Sequence, residues 1–506
     1  MIKGGALAVV VALALVLAPG AAAARGGPPA AECAALASPR EPGPVLALDP
    51  RPHAPRVFAI QYRQAAPDVA SYASFRDAID CLLHRYVLGH LARGRPNVVV
   101  FDEDIGLATL GIGSRGAQAR RLFADPGAAS CPSLGEPCAA LAALGAVTAS
   151  YAAPLAVYHA RLGAFGGVDQ AFVAATDTIA RGFLGTFSAL AKRYRLYMIG
   201  SGDVTPFAQS SSAADLAAFS DPDLHPRPAS VYVATSPDVY NEVFMWGPRD
   251  VRRTGPDVLR NVVASNLKVP LTSLEAELGF VNGPSTGPAA VANLRPYRLP
   301  GTRARIGFAT SLPAFVYGSP PAGTDPCSDT AAYYMRCLNR LGANLVIQDE
   351  ANPGRWTGPD GNGIEQWQPL SWMASTYRTV SDRSVAFDYN VTAMMVGNLA
   401  DLPFDGQTAI TQRGFRGRRR GCHYIGDASF VPGEDQAQFR SYAGNRPDFL
   451  AIAPWVTRDG PRAALRATGA ELAPGSGSAI EDDYVETAVI ADLPFPPDRR
   501  RRDCVE

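Results

Sequence analysis

Lysine is scarce in this sequence of 506 residues, although arginine is common. Of the 47 basic residues only Lys3, Lys192 and Lys268 are lysines, and 47 acidic residues bring the formal net charge to zero. Binding of nucleic acid or another polyanion through bulk charge needs a basic excess or a basic stripe, so this balance excludes that class of function. Each of the three lysines therefore calls for its own explanation.

Long apolar runs are also missing, except at the N-terminus. There Lys3 precedes an apolar run over residues 6–18, and small residues follow up to Arg25. A charged start, a short apolar run and small residues predict a signal peptide over residues 1–24. The alternative is an uncleaved anchor that tethers a structural protein, but a membrane span needs about 20 apolar residues. We therefore expect a secreted or extracytoplasmic chain with no stable membrane insertion after cleavage.

The sequence has no C-x-x-C motif among its eight cysteines, which argues against a zinc ribbon or a thioredoxin-like site. An even number of cysteines in an exported chain instead predicts disulfide bonds. Cys131 and Cys138 bracket a short loop and form the first candidate pair, and Cys327 and Cys337 form the second. The remaining connectivity stays open.

Residues 55–495 alternate strand-like and helical patterns without a linker, which indicates one large α/β domain. Hydrophobic residues make up 47% of the chain, enough for a sizeable core. We predict a flexible leader rich in Pro, Ala and Arg over 25–54 and a basic tail over 496–506. The predicted strands are 56–62, 97–101, 196–199, 230–234, 242–246, 304–309 and 344–348, and the predicted helices are 75–91, 331–341 and most of 115–195.

Four sets of short runs combine an apolar strand pattern with polar residues where the strand ends. They are 98–103 (VVVFDE); 240–244 (YNEVF) with 266–275 (NLKVPLTSLE); 305–311 (RIGFATS) with 336–347 (RCLNRLGANLVI); and 394–399 (MMVGNL) with 404–410 (FDGQTAI). In this order they resemble the nitrilase superfamily of carbon–nitrogen hydrolases. The resemblance covers most of residues 55–495. It implies an αββα four-layer sandwich, with two mixed sheets face to face and helices outside.

Members of that family use a glutamate, a lysine and a cysteine, each at the end of a strand. The resemblance implies that Glu103 is the general base, that Lys268 stabilises the oxyanion, and that Glu275 keeps Lys268 in place and charged. A lysine retained in an arginine-rich chain supports this role, because lysine is a compact point charge and arginine a rigid fork. Lys192 has no such context, so we expect it on the surface. The helical stretch between Glu103 and Lys268 resembles an insertion relative to most of the family.

The family's cysteine falls on Ser311, and Leu312 and Pro313 follow it in place of an aromatic residue and an acid. A serine hydroxyl is far less acidic than a thiol, so Glu103 would have to remove its proton as the new bond forms. Two functions stay open. The chain is either a secreted hydrolase that acts through Ser311 on small amide or nitrile-like substrates, or an inactive secreted binding protein that keeps the pocket.

The resemblance implies no metal and no organic cofactor, and it leaves a homo-oligomer open. One further motif, GPSTG at residues 283–287, matches the G-x-S-x-G pattern of serine hydrolases. A proline stands directly before Ser285, and His423 is the only histidine downstream of it. We therefore do not assign chemistry to this motif.

Overall fold

The computed structural model of the chain describes residues 33, 42–125, 127, 129, 138–353, 368–415, 449–454, 465–500 and 503–505. The predicted signal peptide over 1–24 lies outside these residues, and so does Cys131 of the first candidate disulfide. Within them the chain is a mixed α/β protein, with one large sheet and helices packed against it.

Fourteen strands form that sheet, and two more form a separate antiparallel ribbon. The strands of the described residues are β1 (Val45–Ala47), β2 (Arg56–Arg63), β3 (Asn97–Val100), β4 (Tyr197–Val204), β5 (Phe207–Ser210), β6 (Val231–Ala234), β7 (Tyr240–Trp246), β8 (Val262–Leu267), β9 (Tyr297–Arg298), β10 (Arg305–Phe308), β11 (Leu345–Glu350), β12 (Tyr389–Leu399), β13 (Leu402–Phe404), β14 (Ala409–Gln412), β15 (Phe449–Ile452) and β16 (Thr487–Asp492). The main path of the sheet is β8-β7-β4-β3-β2-β12-β11-β10-β9. All seven predicted strands are present.

Within the described residues fourteen strands are hydrogen-bonded into one sheet that has two halves. The two halves are connected through β12, a long strand of 11 residues. Its first part pairs with β11, and its continuation pairs with β2 through Met395 opposite Tyr62 and Val396 opposite Arg63. Strand β12 belongs to both halves of the sheet because its two ends pair with different strands. The local sequence pattern could not predict this pairing.

Alternate residues of the strands enter different hydrophobic clusters, as the two-residue period of a strand requires. In β2, Phe58 and Ile60 pack in a cluster with the N-terminal helices. Val57 and Ala59 enter a second cluster that also contains Ile306 of β10 and residues of β11. The second cluster therefore joins apolar side chains from both halves of the sheet.

The helices of the described residues cover the sheet and build the stretch between β3 and β4. They are α1 (Tyr72–Leu82), α2 (Ala117–Ala124), α3 (Cys138–Ser150), α4 (Ala152–Leu162), α5 (Gln170–Ala174), α6 (Thr176–Ile179), α7 (Gly185–Tyr194), α8 (Ala213–Phe219), α9 (Ser273–Glu277), α10 (Gly287–Asn293), α11 (Thr330–Arg340), α12 (Gln368–Ser381) and α13 (Leu465–Leu472). The predicted helix 75–91 is α1 followed by a π turn and a 3-10 turn. No single described helix is long and apolar enough to cross a membrane; α3 and α4 pass that test only as a pair bent by 78°.

Parts of the predicted leader and tail are built into the sheet. Val45 and Ala47 are buried in β1, which pairs with β16, whereas the segment 25–54 was predicted to be flexible. A disulfide joins Cys33 to Cys81 at the end of α1 and anchors the same segment. In the tail, Val505 pairs with β15. These contacts join residues far apart in the sequence, so the composition of the two segments did not reveal them.

The second candidate disulfide, Cys327–Cys337, is confirmed. Cys337 lies in α11, so it does not stand at a strand end. Cys138 and Cys504 are also disulfide-bonded.

Candidate functional site

The direction of the strands brings the predicted site residues to one edge of the sheet. Strands β2, β3 and β4 are parallel to one another, and β8 is parallel to them because two antiparallel pairings separate it from β4. Strands β10, β11 and β12 run in the same direction, since β12 is parallel to β2. Glu103, Lys268 and Ser311 follow β3, β8 and β10, so all three stand at the carboxyl edge, where α/β sheets hold their ligands.

Lys268 forms two short ion pairs inside the protein. Its Nζ lies 2.7 Å from Oε1 of Glu103 and 2.8 Å from Oε2 of Glu275. The Lys268 and Glu103 side chains are 2% and 3% exposed, so water does little to weaken the attraction. The structure thus brings together three of the four residues that the sequence predicted for the site.

A capping box fixes Glu275. The Thr272 hydroxyl accepts a hydrogen bond from the Glu275 amide, and Oε2 of Glu275 accepts from the Thr272 amide at 2.8 Å. This arrangement follows from the T-x-x-E pattern at the start of α9. Because its carboxylate is held by the helix that carries it, Glu275 can position Lys268 without relying on a flexible loop.

Asn241 is a site residue to which the sequence analysis gave no role. Its Nδ2 donates to Oε1 of Glu103 at 2.8 Å and to Oε1 of Glu275 at 2.9 Å. Its backbone carbonyl also accepts from the Lys268 amide. Asn241 lies on β7, between the strands that lead to Glu103 and Lys268. An asparagine inside the YNEVF strand run was the only available signal.

Ser311 lies in a strained turn directly after β10. Its φ of 56° and ψ of −119° are the values of the first central residue of a type II′ turn, where glycine is usual. The Ser311 amide donates to the carbonyl of Asp349, and its own carbonyl accepts from Ala314. The surrounding backbone therefore holds a conformation that costs about 1–3 kcal/mol, and such strain is concentrated at functional sites.

The four predicted residues line one cavity of about 260 Å³. Ser311 is only 2% exposed, and no hydrogen bond joins its hydroxyl to another described residue. Asp104 and Asp203 also line the cavity, and the sequence analysis did not single them out as site residues. Lys268 is the only basic residue among the described residues of this lining.

Burial and charge set the protonation of the cluster. Burial, opposed by Lys268 and reinforced by Glu275, raises the pKa of Glu103 to about 7. Burial would lower the pKa of Lys268, but the charges of Glu103 and Glu275 and their hydrogen bonds outweigh it and raise this pKa. Burial opposes ionisation of Glu275 as well, yet Lys268 and Thr272 hold its pKa below the ordinary value. Near neutral pH the site thus holds a charged lysine, an ionised Glu275 and a titratable Glu103.

Burial also disfavours the ionisation of two further carboxyl groups in the same region. Burial, followed by the charges of Glu275 and Glu103, raises the pKa of Asp203 well above its usual range. Burial and the neighbouring Asp203 do the same for the pKa of Asp104. Within the described residues, no group of His, Cys, Asp and Glu has the arrangement of a metal site.

The sequence matches no protein-family model and no curated protein. Among solved structures, it is similar to an amidase from Nesterenkonia sp. AN1 in complex with acrylamide, at 13% identity and a TM-score of 0.34. That alignment covers 72% of this chain and 85% of the other. A cysteine-to-serine variant of the Nesterenkonia AN1 amidase, described as a member of the nitrilase superfamily, gives 13% identity and a TM-score of 0.33, over 71% of this chain and 84% of the other.

Proposed function

We propose that the chain hydrolyses non-peptide carbon–nitrogen bonds in small amides, with Ser311 as the nucleophile. One observation carries the proposal: the buried ion pairs of Lys268 with Glu103 and Glu275 border the same cavity as Ser311. In this proposal Glu103 is the general base, Lys268 donates to the oxyanion, and Glu275 positions Lys268. A charged group placed where negative charge develops is often the largest contribution to catalysis.

In the first half of the reaction, Glu103 takes the proton of the Ser311 hydroxyl while the oxygen attacks the amide carbon. The carbonyl oxygen becomes an oxyanion, which the ammonium group of Lys268 stabilises. Protonated Glu103 then gives its proton to the departing nitrogen, so ammonia or an amine leaves and an acyl ester on Ser311 remains. A pKa of about 7 suits both directions of this transfer, since a general acid–base is most effective near the working pH.

In the second half, water attacks the acyl ester and Glu103 takes a proton from it. The tetrahedral intermediate collapses, Ser311 regains its proton from Glu103, and a carboxylic acid leaves. The serine makes the first attack the difficult step, because its hydroxyl carries almost no anion at neutral pH, whereas a thiol carries a few per cent. We therefore expect slow turnover compared with a thiol at the same position.

A second candidate function is a secreted binding protein, and one observation favours it. Oε1 of Glu103 is engaged by Lys268 and Asn241, and Oε2 accepts from the Ala351 amide at 3.1 Å. With both oxygens occupied, Glu103 must exchange a partner before it can accept the Ser311 proton. A protein that never makes this exchange would hold an amide without cleaving it.

Two finer features belong to the same proposal. The hydrophobic cluster shared by β2, β10 and β11 supports an αββα arrangement, in which the two halves of the sheet face each other and helices cover the outside. The disulfides Cys33–Cys81 and Cys327–Cys337 support an oxidising, extracytoplasmic location, because such bonds persist there.

Ammonia release from a panel of primary amides and nitriles tests the function. We expect wild-type protein to release ammonia, Ser311→Ala to release none, and Ser311→Cys to be at least as active as the wild type. Activity that appears only in Ser311→Cys would favour the binding protein. Undiminished activity in Ser311→Ala would contradict the assignment of the nucleophile.

A further inference from the structure

The cavity beside Lys268 is polar only where the proposed site lies. Its polar lining consists of the acid and lysine cluster with Ser311, Thr272 and Asn352. The other lining residues are leucine, phenylalanine, alanine and proline. Cavities with an apolar wall and a few convergent polar groups bind ligands that share the same division.

Much of the apolar wall comes from the helical stretch between Glu103 and Lys268. Leu141 and Leu144 of α3 are three residues apart, so they lie on one face of the helix, and both line the cavity. Phe123 of α2 and Phe172 of α5 line it too. The stretch that resembles an insertion thus supplies part of the apolar wall of the cavity.

This wall is fixed to the sheet. Asp401, in the turn between β12 and β13, accepts hydrogen bonds from the amides of Ala139 and Ala140 at 2.9 and 3.0 Å. The Ala400 amide donates to the carbonyl of Phe123 at 3.1 Å. Ala400 in this turn and Leu402 at the start of β13 also line the cavity, so these hydrogen bonds join two sides of its lining.

The size of the cavity limits what it holds. A dry protein cavity of about 150 Å³ accommodates benzene, so 260 Å³ has room for roughly ten non-hydrogen atoms. An amide group uses three of these. The remainder corresponds to an apolar chain of roughly six to eight carbons.

We propose that the substrate is a primary or N-alkyl amide that carries one apolar chain of this length, seated against Leu141 and Leu144. The placement of the amide group depends on the proposed function, whereas the placement of the apolar chain depends on the apolar wall of the cavity. Each methylene buried against that wall is expected to improve kcat/KM about fourfold until the cavity is full.

The experiment measures hydrolysis of primary amides from acetamide to decanamide, and of N-alkylacetamides of matching length, by the wild-type protein. We expect kcat/KM to rise along one series to a maximum near heptanamide to nonanamide or its N-alkyl counterpart. The series that rises tells whether the chain is on the acyl carbon or on the nitrogen. A flat profile in both series, with acetamide still hydrolysed, would overturn the inference and leave the proposed function intact.

Two variants of α3 test the wall itself. Leu144→Trp is expected to lower kcat/KM for octanamide at least tenfold more than kcat/KM for acetamide, because the indole fills the space of the chain. Ala142→Trp, on the exposed side of the same helix, serves as the control and is expected to change neither. Equal losses of kcat/KM for octanamide in the two variants, with unchanged melting temperatures, would contradict the proposal that the chain packs against Leu144.

Binding to Ser311→Ala separates the two proposals. Calorimetry with the same amides measures affinity without turnover, and we expect affinity to rise with chain length. If the wild type hydrolyses no amide while this rise is observed, the proposed function is wrong and the proposed binding site for the apolar chain is supported. If affinity does not depend on chain length, the proposed binding site for the apolar chain is wrong.

Discussion

Lys268 Nζ and Glu103 Oε1 lie 2.7 Å apart, and both side chains are almost completely buried. Strands β8 and β3 end at the same edge of the sheet, and this common direction brings the two residues together from 165 positions apart in the sequence. A third charge, on Glu275, makes the cluster negative as a whole when Glu103 is ionised. Stability, pH dependence and activity should therefore all respond to changes in these three residues.

Replacement of Lys268 by Met is expected to destabilise the fold. The substitution leaves Glu103 and Glu275 buried without their cation, which typically costs about 3–5 kcal/mol. The free energy of unfolding in urea measures the effect. Lys192→Met is the matched control, since Lys192 forms an ion pair with Asp250 in which both side chains are more than a third exposed. The control should change stability by less than about 1 kcal/mol. Equal losses in both variants would contradict the buried ion pairs.

The pH dependence of hydrolysis should report Glu103. The base must be ionised, so kcat/KM is expected to rise with pH up to an apparent pKa of about 7 and then to level off. The charge of Glu275 raises the pKa of Glu103. Glu275→Gln should therefore shift the rise of kcat/KM to lower pH. A rise that stays at the same pH or moves to higher pH would show that another group is titrating.

The raised pKa of Glu103 also predicts how the stability of the fold changes with pH. Glu103 binds its proton more tightly in the folded chain, with a pKa of about 7 against an ordinary 4.5. Its contribution is therefore fully present below pH 4.5 and is lost as the pH rises through about 7. The stability difference between wild type and Glu103→Gln should change over this window, with wild type gaining toward low pH. No change between pH 4 and pH 8 would contradict the raised pKa.

Ser311→Gly is expected to stabilise the fold while it abolishes activity. Glycine adopts a positive φ at no steric cost, so the variant relieves the strain of the turn, although it gains freedom in the unfolded chain. We expect a net gain of about 1 kcal/mol relative to Ser311→Ala, measured by urea unfolding. Alanine keeps the strain and lacks the hydroxyl, so it is the matched control. A glycine variant no more stable than the alanine variant would remove the evidence for strain at Ser311.

Asn241→Leu tests a residue that acts through its neighbours. The substitution removes the donor shared by Glu103 and Glu275, so the two carboxylates lose a hydrogen bond each. We expect kcat to fall about 10- to 100-fold, as for other partners that orient a reactive group, with KM changed little. Asn241→Asp should also shift the rise of kcat/KM to higher pH, because it adds a negative charge. A lower free energy of unfolding with unchanged kcat and an unchanged pH profile would show that Asn241 has only a structural role.

The candidate site residues were predicted from the family resemblance of short runs such as VVVFDE, and for Lys268 also from its rarity among arginines. The structure places Glu103, Lys268, Glu275 and Ser311 along one cavity. Asn241 and Asp203 could not be assigned, since a polar residue inside a strand does not reveal which carboxylates it faces. Strand β1 was missed for a related reason: three residues give almost no local signal, and its partner β16 lies more than 400 residues away. The pairing of β12 with both β11 and β2 depends on the assembled sheet in the same way.

The most direct test of the account is a search for an acyl group on Ser311. Wild-type protein is mixed with an activated ester such as p-nitrophenyl hexanoate, quenched with acid within seconds and examined by mass spectrometry. The account predicts that the mass of one hexanoyl group is added and that peptide mapping assigns it to Ser311, with no addition in Ser311→Ala. An acyl group on another residue, or the same addition in Ser311→Ala, would contradict Ser311 as the nucleophile.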